Sequence, residues 1–164
     1  MISERIQKVL NKQINLEFAS SYLYLSMSAY LELENFKGLA HWMKIQSEEE
    51  YGHAMKIYDY LVRTGGRAIL DVLEKPKAEW DNPSKVFDAS YKHELVITES
   101  INKIVNLAVD ERDHATQSFL RFFVDEQVEE MQAASDIVEK FKMIGDSKHM
   151  IFWMDKELGK REKK

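Results

Sequence analysis

A glutamate and a histidine stand three residues apart in the run Glu50-Tyr51-Gly52-His53. On a helix, positions i and i+3 share a face, so a carboxylate and an imidazole at this spacing can reach one cation. Alone, such a pair is an ordinary surface ion pair. Its weight comes from three more glutamates. Steps of three and four residues pick out four stripes: Leu10, Ile14, Glu17, Ser21, Tyr24, Ser28, Leu31; then Met43, Ser47, Glu50, His53, Ala54, Ile57, Leu61; then Phe87, Tyr91, Glu94, Ile97, Ile101, Val105, Ala108; then Leu120, Phe123, Gln127, Glu130, Ala134, Ile137, Phe141. Each stripe is mostly apolar and each carries one glutamate. A carboxylate buried without a partner is costly or stays protonated, so four of them call for a common explanation. No Lys or Arg lies on the stripes. A bound metal is the remaining counter-charge, and oxygen-rich ligands with a single imidazole favour iron or manganese over a soft metal. Helical bundles that hold two irons draw a Glu from each of two helices and Glu-x-x-His from the other two. Here the second Glu-x-x-His is replaced by Gln127-x-x-Glu130. The competing reading is a non-enzymatic scaffold whose acids are hydrated or satisfied by Tyr and Ser hydroxyls.

The elements that would position these residues follow from the punctuation. Both prolines, Pro76 and Pro83, fall in one window opened by Gly65-Gly66. The long flanking stretches lack proline and read as two helix pairs. The first helix starts at the Ser3 cap and runs to about Leu33. A break at Glu34-Asn35-Phe36 is followed by a second helix to about Arg63. The third starts near Pro83, with Asn82 capping, and ends near Asp110. The fourth starts at the Asp113 cap and runs to about Met143, with Gly145 after it. A short fifth helix spans roughly 147–158, and the charged tail beyond it is expected to fray. The Thr64–Pro83 segment exceeds the usual 2–8 residues of a bundle connection, so it is read as a crossover that makes the third helix parallel to the second. The expected fold is all-α, a four-helix bundle with this long crossover and a short C-terminal helix. At 1.5 Å per residue the four glutamates then sit within roughly 8 Å of one height.

Composition narrows the function classes. The 164 residues suit one domain spanning the chain, with 45% hydrophobic and 31% charged residues. The net charge of −5 is unfavourable for nucleic-acid binding through phosphates. The chain has no Cys, which excludes disulfides, zinc knuckles and thiol catalysis. No stretch of ~18 apolar residues offers a membrane span. The first eight residues lack an apolar leader core, which points to the cytoplasm. The run 150–154 (Met-Ile-Phe-Trp-Met) is apolar on nearly all sides and calls for burial against the bundle or against copies of itself.

Taken together, the order of helices, the crossover, Glu17, Tyr24, Glu50, His53, Glu94, Gln127, Glu130 and the short fifth helix resemble the non-haem bacterial ferritins over nearly the whole chain. The resemblance implies that Glu17, Glu50 and His53 bind a first iron, with Glu50 bridging. It places a second iron on Glu94 and Glu130, with Gln127 beside them and Tyr24 as a hydrogen-bond donor that supplies an electron. Glu49, Glu126 and Glu129 correspond to a third iron site that shares Glu130. It further implies a ferroxidase that oxidises Fe(II) with oxygen or hydrogen peroxide, and a homo-oligomeric shell of 24 subunits that stores ferric mineral, with the fifth helix near a fourfold axis. Haem-containing relatives carry Met directly after the Glu of the first Glu-x-x-His. Tyr51 stands there, so no haem is expected. The missing second Glu-x-x-His suggests that iron passes through as substrate. A rubrerythrin-like di-iron peroxidase is the runner-up, although such proteins usually add a Cys-rich module.

Overall fold

The computed structural model describes residues 2–163. Five helices follow in order: α1 (Glu4–Leu33), α2 (Lys37–Arg63), α3 (Pro83–Asp110), α4 (His114–Ile144) and α5 (Lys148–Leu158), with no strand among the described residues. Their starts have identifiable causes. Ser3 Oγ accepts from Ile6 N at 3.2 Å, Asn82 Oδ1 from Lys85 N at 3.0 Å, and Asp113 Oδ1 from Thr116 N at 3.0 Å. Pro83 fits the first turn of α3, where its missing N–H is not needed. Gly65, with φ of 81°, takes the left-handed turn that ends α2.

Contacts between helices fix their directions. Gln13 meets Ser100 and Tyr24 meets Glu94, so α1 and α3 are antiparallel. Ser21 meets Ser47 and Ser28 meets Ala40, so α1 and α2 are also antiparallel. Hence α2 and α3 run parallel, and the segment between them must travel the length of the bundle. It does so along α1: Asn11 Nδ2 donates to Arg67 O (2.9 Å), Asn15 Nδ2 to Val72 O (3.2 Å) and Ser26 Oγ to Lys77 O (2.6 Å), while Tyr30 packs on Trp80. Side chains of α1 thus satisfy backbone carbonyls of the crossover that have no helix or sheet to join.

Every residue of the second and fourth stripes is buried, and so are Glu17 and Glu94 on the other two. The core is divided into two apolar clusters. One gathers Met27, Leu31, Leu39, Met43, Phe87 and Phe141, and the other Ile6, Leu10, Ile57, Leu61, Ile101 and Leu120. The glutamates occupy the layer between them.

α5 docks on the first turn of α2. No side chain at the Phe36 cap position serves α2; Asp155 of α5 supplies the acceptor instead, 2.9 Å from Leu39 N. Met154 is the buried residue of α5, whereas Phe152 and Trp153 stay exposed in the single chain. The tail beyond α5 departs from expectation. It is tied down: Arg161 lies over Trp42 and bonds Gln46 and Glu49, and Lys163 pairs with Glu48 at 2.8 Å. A guanidinium with four partners holds the chain where composition alone suggests fraying.

The α2–α5 junction yields a test. A Cβ at Gly38 would stand 1.7 Å from the Asp155 carbonyl oxygen, which is backbone and cannot yield. Gly38→Ala should therefore lever α5 away, raising protease sensitivity around Gly145 while bundle helicity by circular dichroism stays unchanged. Asp155→Ala keeps the space but removes the cap, and should lower stability by about 1 kcal/mol in thermal unfolding.

Candidate metal centre

At mid-bundle, one ligand atom each from Glu17, Glu50 and His53 lies within 4.8 Å of the others, and all three residues are buried. The helical spacing that puts Glu50 and His53 on one face also brings His53 Nδ1 to 3.2 Å from Glu50 Oε2. Glu17 comes from α1 across the bundle. Its Oε1 accepts from Gln13 Nε2 at 2.7 Å, while its buried Oε2 has no donor among the described residues and faces Glu50, with which it can share only a proton or a cation. An unpartnered carboxylate oxygen aimed into a group of acids is what a cation would complete.

Glu94 and Glu130 close the layer, at 2% and 6% exposure. Tyr24 donates its hydroxyl proton to Glu94 Oε1, and Gln127 Nε2 donates to Glu94 Oε2 at 3.1 Å and to Thr98 Oγ1 at 3.1 Å. Gln127 thus serves Glu94 and not Glu130, the partner its spacing suggests. Glu130 Oε2 accepts from Gln46 Nε2 at 2.9 Å, and the same nitrogen donates to Glu50 Oε1 at 2.9 Å.

The electrostatics are those of too much negative charge in too little water. Burial, reinforced by the Glu50 charge, pushes Glu94 up to about 8 and Glu130 up to about 7. Glu17 is raised well above the carboxylate range for the same two reasons. Burial also raises Glu50, but its hydrogen bond and ion pair with His53 outweigh that and leave it lowered. His53 is raised in turn: burial disfavours its charge, and the Glu50 contact more than offsets the penalty. Burial and the Glu94 charge raise Tyr24 well above its usual range, so its proton stays on the phenol.

The remaining sequence candidates are distributed differently. Glu126 Oε2 lies 3.9 Å from His53 Nε2, at the edge of the group. Glu129 is exposed on the same helix. Glu49 Oε2 is held by Arg161 Nη2 at 2.7 Å. Sequence reasoning missed Gln13, Gln46 and Arg161. The two glutamines carry a readable signal, since each stands four residues before a glutamate of the cluster, on the same helix face. Arg161 carries none, because it arrives from the tail.

His93 illustrates a histidine near the site without a place in it. Its Nε2 meets Ser20 Oγ at 2.7 Å and its ring stands edge-on to Tyr24. Burial lowers it, so the ring is neutral.

These shifts fix how metal-free stability should depend on pH. Above about 4.5 the unfolded chain releases its carboxyl protons while folded Glu17, Glu94 and Glu130 retain theirs. The contributions of Glu94 and Glu130 therefore fall as pH rises from about 4.5 to about 8 and about 7, and that of Glu17 falls over the same rise. His53, raised in the fold, loses its contribution as pH rises above about 6.5, whereas the lowered Glu50 and His93 run the other way. The metal-free unfolding midpoint should drop between pH 5 and pH 8. Glu94→Gln should flatten the drop, and Co2+ at pH 8 should restore the midpoint while releasing protons, as read by calorimetry in two buffers.

Comparison with known proteins gives a consistent picture. The sequence profile of the Ferritin-like domain family matches residues 7–144. The chain is 47% identical to the bacterial non-heme ferritin of Bacteroides fragilis, over 98% of this chain and all of that one. It is 37% identical to the bacterial non-heme ferritin of Escherichia coli O157:H7, covering 94% and 93% of the two chains. Among solved structures, an open-pore ferritin from Archaeoglobus fulgidus superposes with a TM-score of 0.97 at 45% identity, over 98% of both chains. A form of that ferritin closed by site-directed mutagenesis gives 0.97 at 44% identity over the full length of both.

Proposed function

The chain belongs to the ferritin family, and on that premise we propose that it stores iron, oxidising Fe(II) at the centre described above and depositing the ferric product inside a shell of its own copies. The observation that carries this reading is the buried Glu17–Glu50–His53 group, with an unpartnered Glu17 oxygen and with Glu94 and Glu130 beside it. In this proposal Glu17, Glu50 and His53 hold one Fe(II), Glu94 and Glu130 hold a second, and Glu50 bridges. Two-metal sites space their ions about 3.5–4 Å apart, close enough to share one oxidant. Each iron gives up one electron. Two Fe(II) and two protons convert oxygen to hydrogen peroxide, or convert hydrogen peroxide to two waters.

The residues have distinct parts. Carboxylates favour the harder Fe(III) product, which eases oxidation. Incoming cations displace the protons that Glu17 and Glu94, and in part Glu130, hold at neutral pH. Tyr24 and Gln127 orient Glu94 through its two oxygens. Gln46 holds Glu50 and Glu130 together. With one imidazole only, iron is bound as substrate and moves on. A third iron position draws on Glu126, Glu129 and Glu130, and Glu49 joins it only when Arg161 releases it.

The shell rests on surface chemistry. Leu25 on α1, Ile69, Leu70 and Val72 on the crossover, and Phe152 and Trp153 on α5 are exposed apolar groups that copies of the chain would cover. We assign the chain one domain across residues 1–164, a shell of 24 subunits and a cytoplasmic location. No described helix is long and apolar enough to cross a membrane.

Aerobic addition of ferrous salt tests the reading. The protein should accelerate oxidation over buffer and keep the brown product soluble. Glu50→Ala with His53→Ala should reduce the rate to that of buffer while particle size on a sizing column stays unchanged. Tyr24→Phe should slow the initial phase by roughly tenfold, the scale of a lost ligand-orienting contact. Iron that never leaves the site after oxidation would contradict the substrate role.

A further inference from the structure

Gln46 bridges the two metal-facing walls of α2 and α4 with a single nitrogen. Its Nε2 donates to Glu50 and to Glu130, each at 2.9 Å. An amide can do this only in one of its two orientations. The other would aim its oxygen at two carboxylates. What selects the orientation is Arg161, whose Nη2 stands 2.9 Å from Gln46 Oε1. A guanidinium has donors only, so the atom facing it must be the oxygen. Arg161 is itself fixed from four sides. Nη2 also donates to Glu49 Oε2 at 2.7 Å, Nη1 donates to Trp42 O at 3.2 Å, the guanidinium lies 4.2 Å from the Trp42 ring centroid, and its own carbonyl receives His41 Nε2 at 3.0 Å. Gln13, the counterpart on α1, lacks such a constraint. Its oxygen faces the Ser100 hydroxyl at 2.5 Å, a group able to donate or accept.

We propose that Arg161, delivered by the C-terminal tail, is a positioning residue of the metal centre that locks the Gln46 amide with its NH2 toward Glu50 and Glu130. This rests on the reading of the layer as a metal site, and it makes the site depend on a segment outside the four-helix bundle. A lysine cannot replace the arginine, since an ammonium lacks the planar fork that spans Gln46, Glu49 and the Trp42 carbonyl together.

Co2+, which does not turn over in air under these conditions, is the probe, with calorimetry and the visible spectrum of the bound ion as readouts on the assembled protein. Arg161→Met keeps an apolar stem over Trp42 but removes the donors. It should weaken Co2+ binding by roughly tenfold and alter the spectrum, although loss of a nearby positive charge would by Coulomb attraction alone tighten it. Gln46→Leu should weaken binding to a similar degree. Arg161→Met with Gln46→Leu should be no weaker than Gln46→Leu alone, because one variant has already removed what the other acts through. Arg161→Lys should stay weak. The positioning role is overturned, with the metal reading intact, if Arg161→Met binds Co2+ as tightly as the unaltered protein, if Arg161→Lys binds fully, or if the two effects add. Unaltered protein that takes up no Co2+ overturns both. Should Arg161→Met fail to assemble, Gln46→Leu still decides, since unchanged binding there removes the route by which Arg161 would act.

Discussion

Four carboxylates and an imidazole, none more than 8% exposed, share one layer of a helical bundle. Desolvation is the constraint on which the remainder of the structure depends. Burying so many acids beside one another is unfavourable whether they are charged or protonated, and among the described residues the fold manages this without a strand, a disulfide or a buried lysine. It raises the proton affinity of Glu17, Glu94 and Glu130, pairs Glu50 with His53, and surrounds the group with amide and hydroxyl donors. Each of these measures is partial. The unpartnered Glu17 oxygen marks where they end.

The stability that offsets this layer comes from either side of it. Two separate apolar clusters, one below and one above, clamp the polar layer between close-packed cores. Long helices follow from that arrangement, because a short bundle would have no room for apolar packing on both sides of a charged middle. The crossover then has to be long as well, since parallel α2 and α3 demand a return over the full height. Its carbonyls are met by Asn11, Asn15 and Ser26 on a face of α1 that turns away from the site.

Much of this was legible in the sequence because it is periodic. The helix ends at Ser3, Asn82, Asp113 and Gly145, the parallel α2 and α3, and the four in-register glutamates all follow from local rules of capping and spacing. What was not legible depends on chain segments that meet only in three dimensions. Arg161 sits in a charged tail that reads as frayed, and nothing local indicates that it folds back onto Trp42 and Glu49. Asp155 looks like a surface acid of α5, yet it caps α2. Gln127 pairs with Glu94 on the neighbouring helix and not with the glutamate one turn away on its own. Gln13 and Gln46 fall between these cases. Their spacing to Glu17 and Glu50 is visible, but amides on a partly polar face carry no weight until the layer around them is known to be dry.

The geometry also separates two tasks within the proposed function. All the residues proposed to hold iron come from one chain, so oxidation needs no neighbour. Storage is different, because a single bundle encloses no cavity able to hold mineral, and the exposed apolar groups that would build a container lie elsewhere, on α1, the crossover and α5. In the proposed function the side chains that would hold iron and the apolar groups that copies of the chain would cover are different sets. The link between the two runs through the tail: α5 seats on the first turn of α2 through Asp155, and three residues after its end Arg161 reaches Gln46. A displacement of α5 would therefore bear on the Gln46 amide, and through it on Glu50 and Glu130, over a backbone only a few residues long.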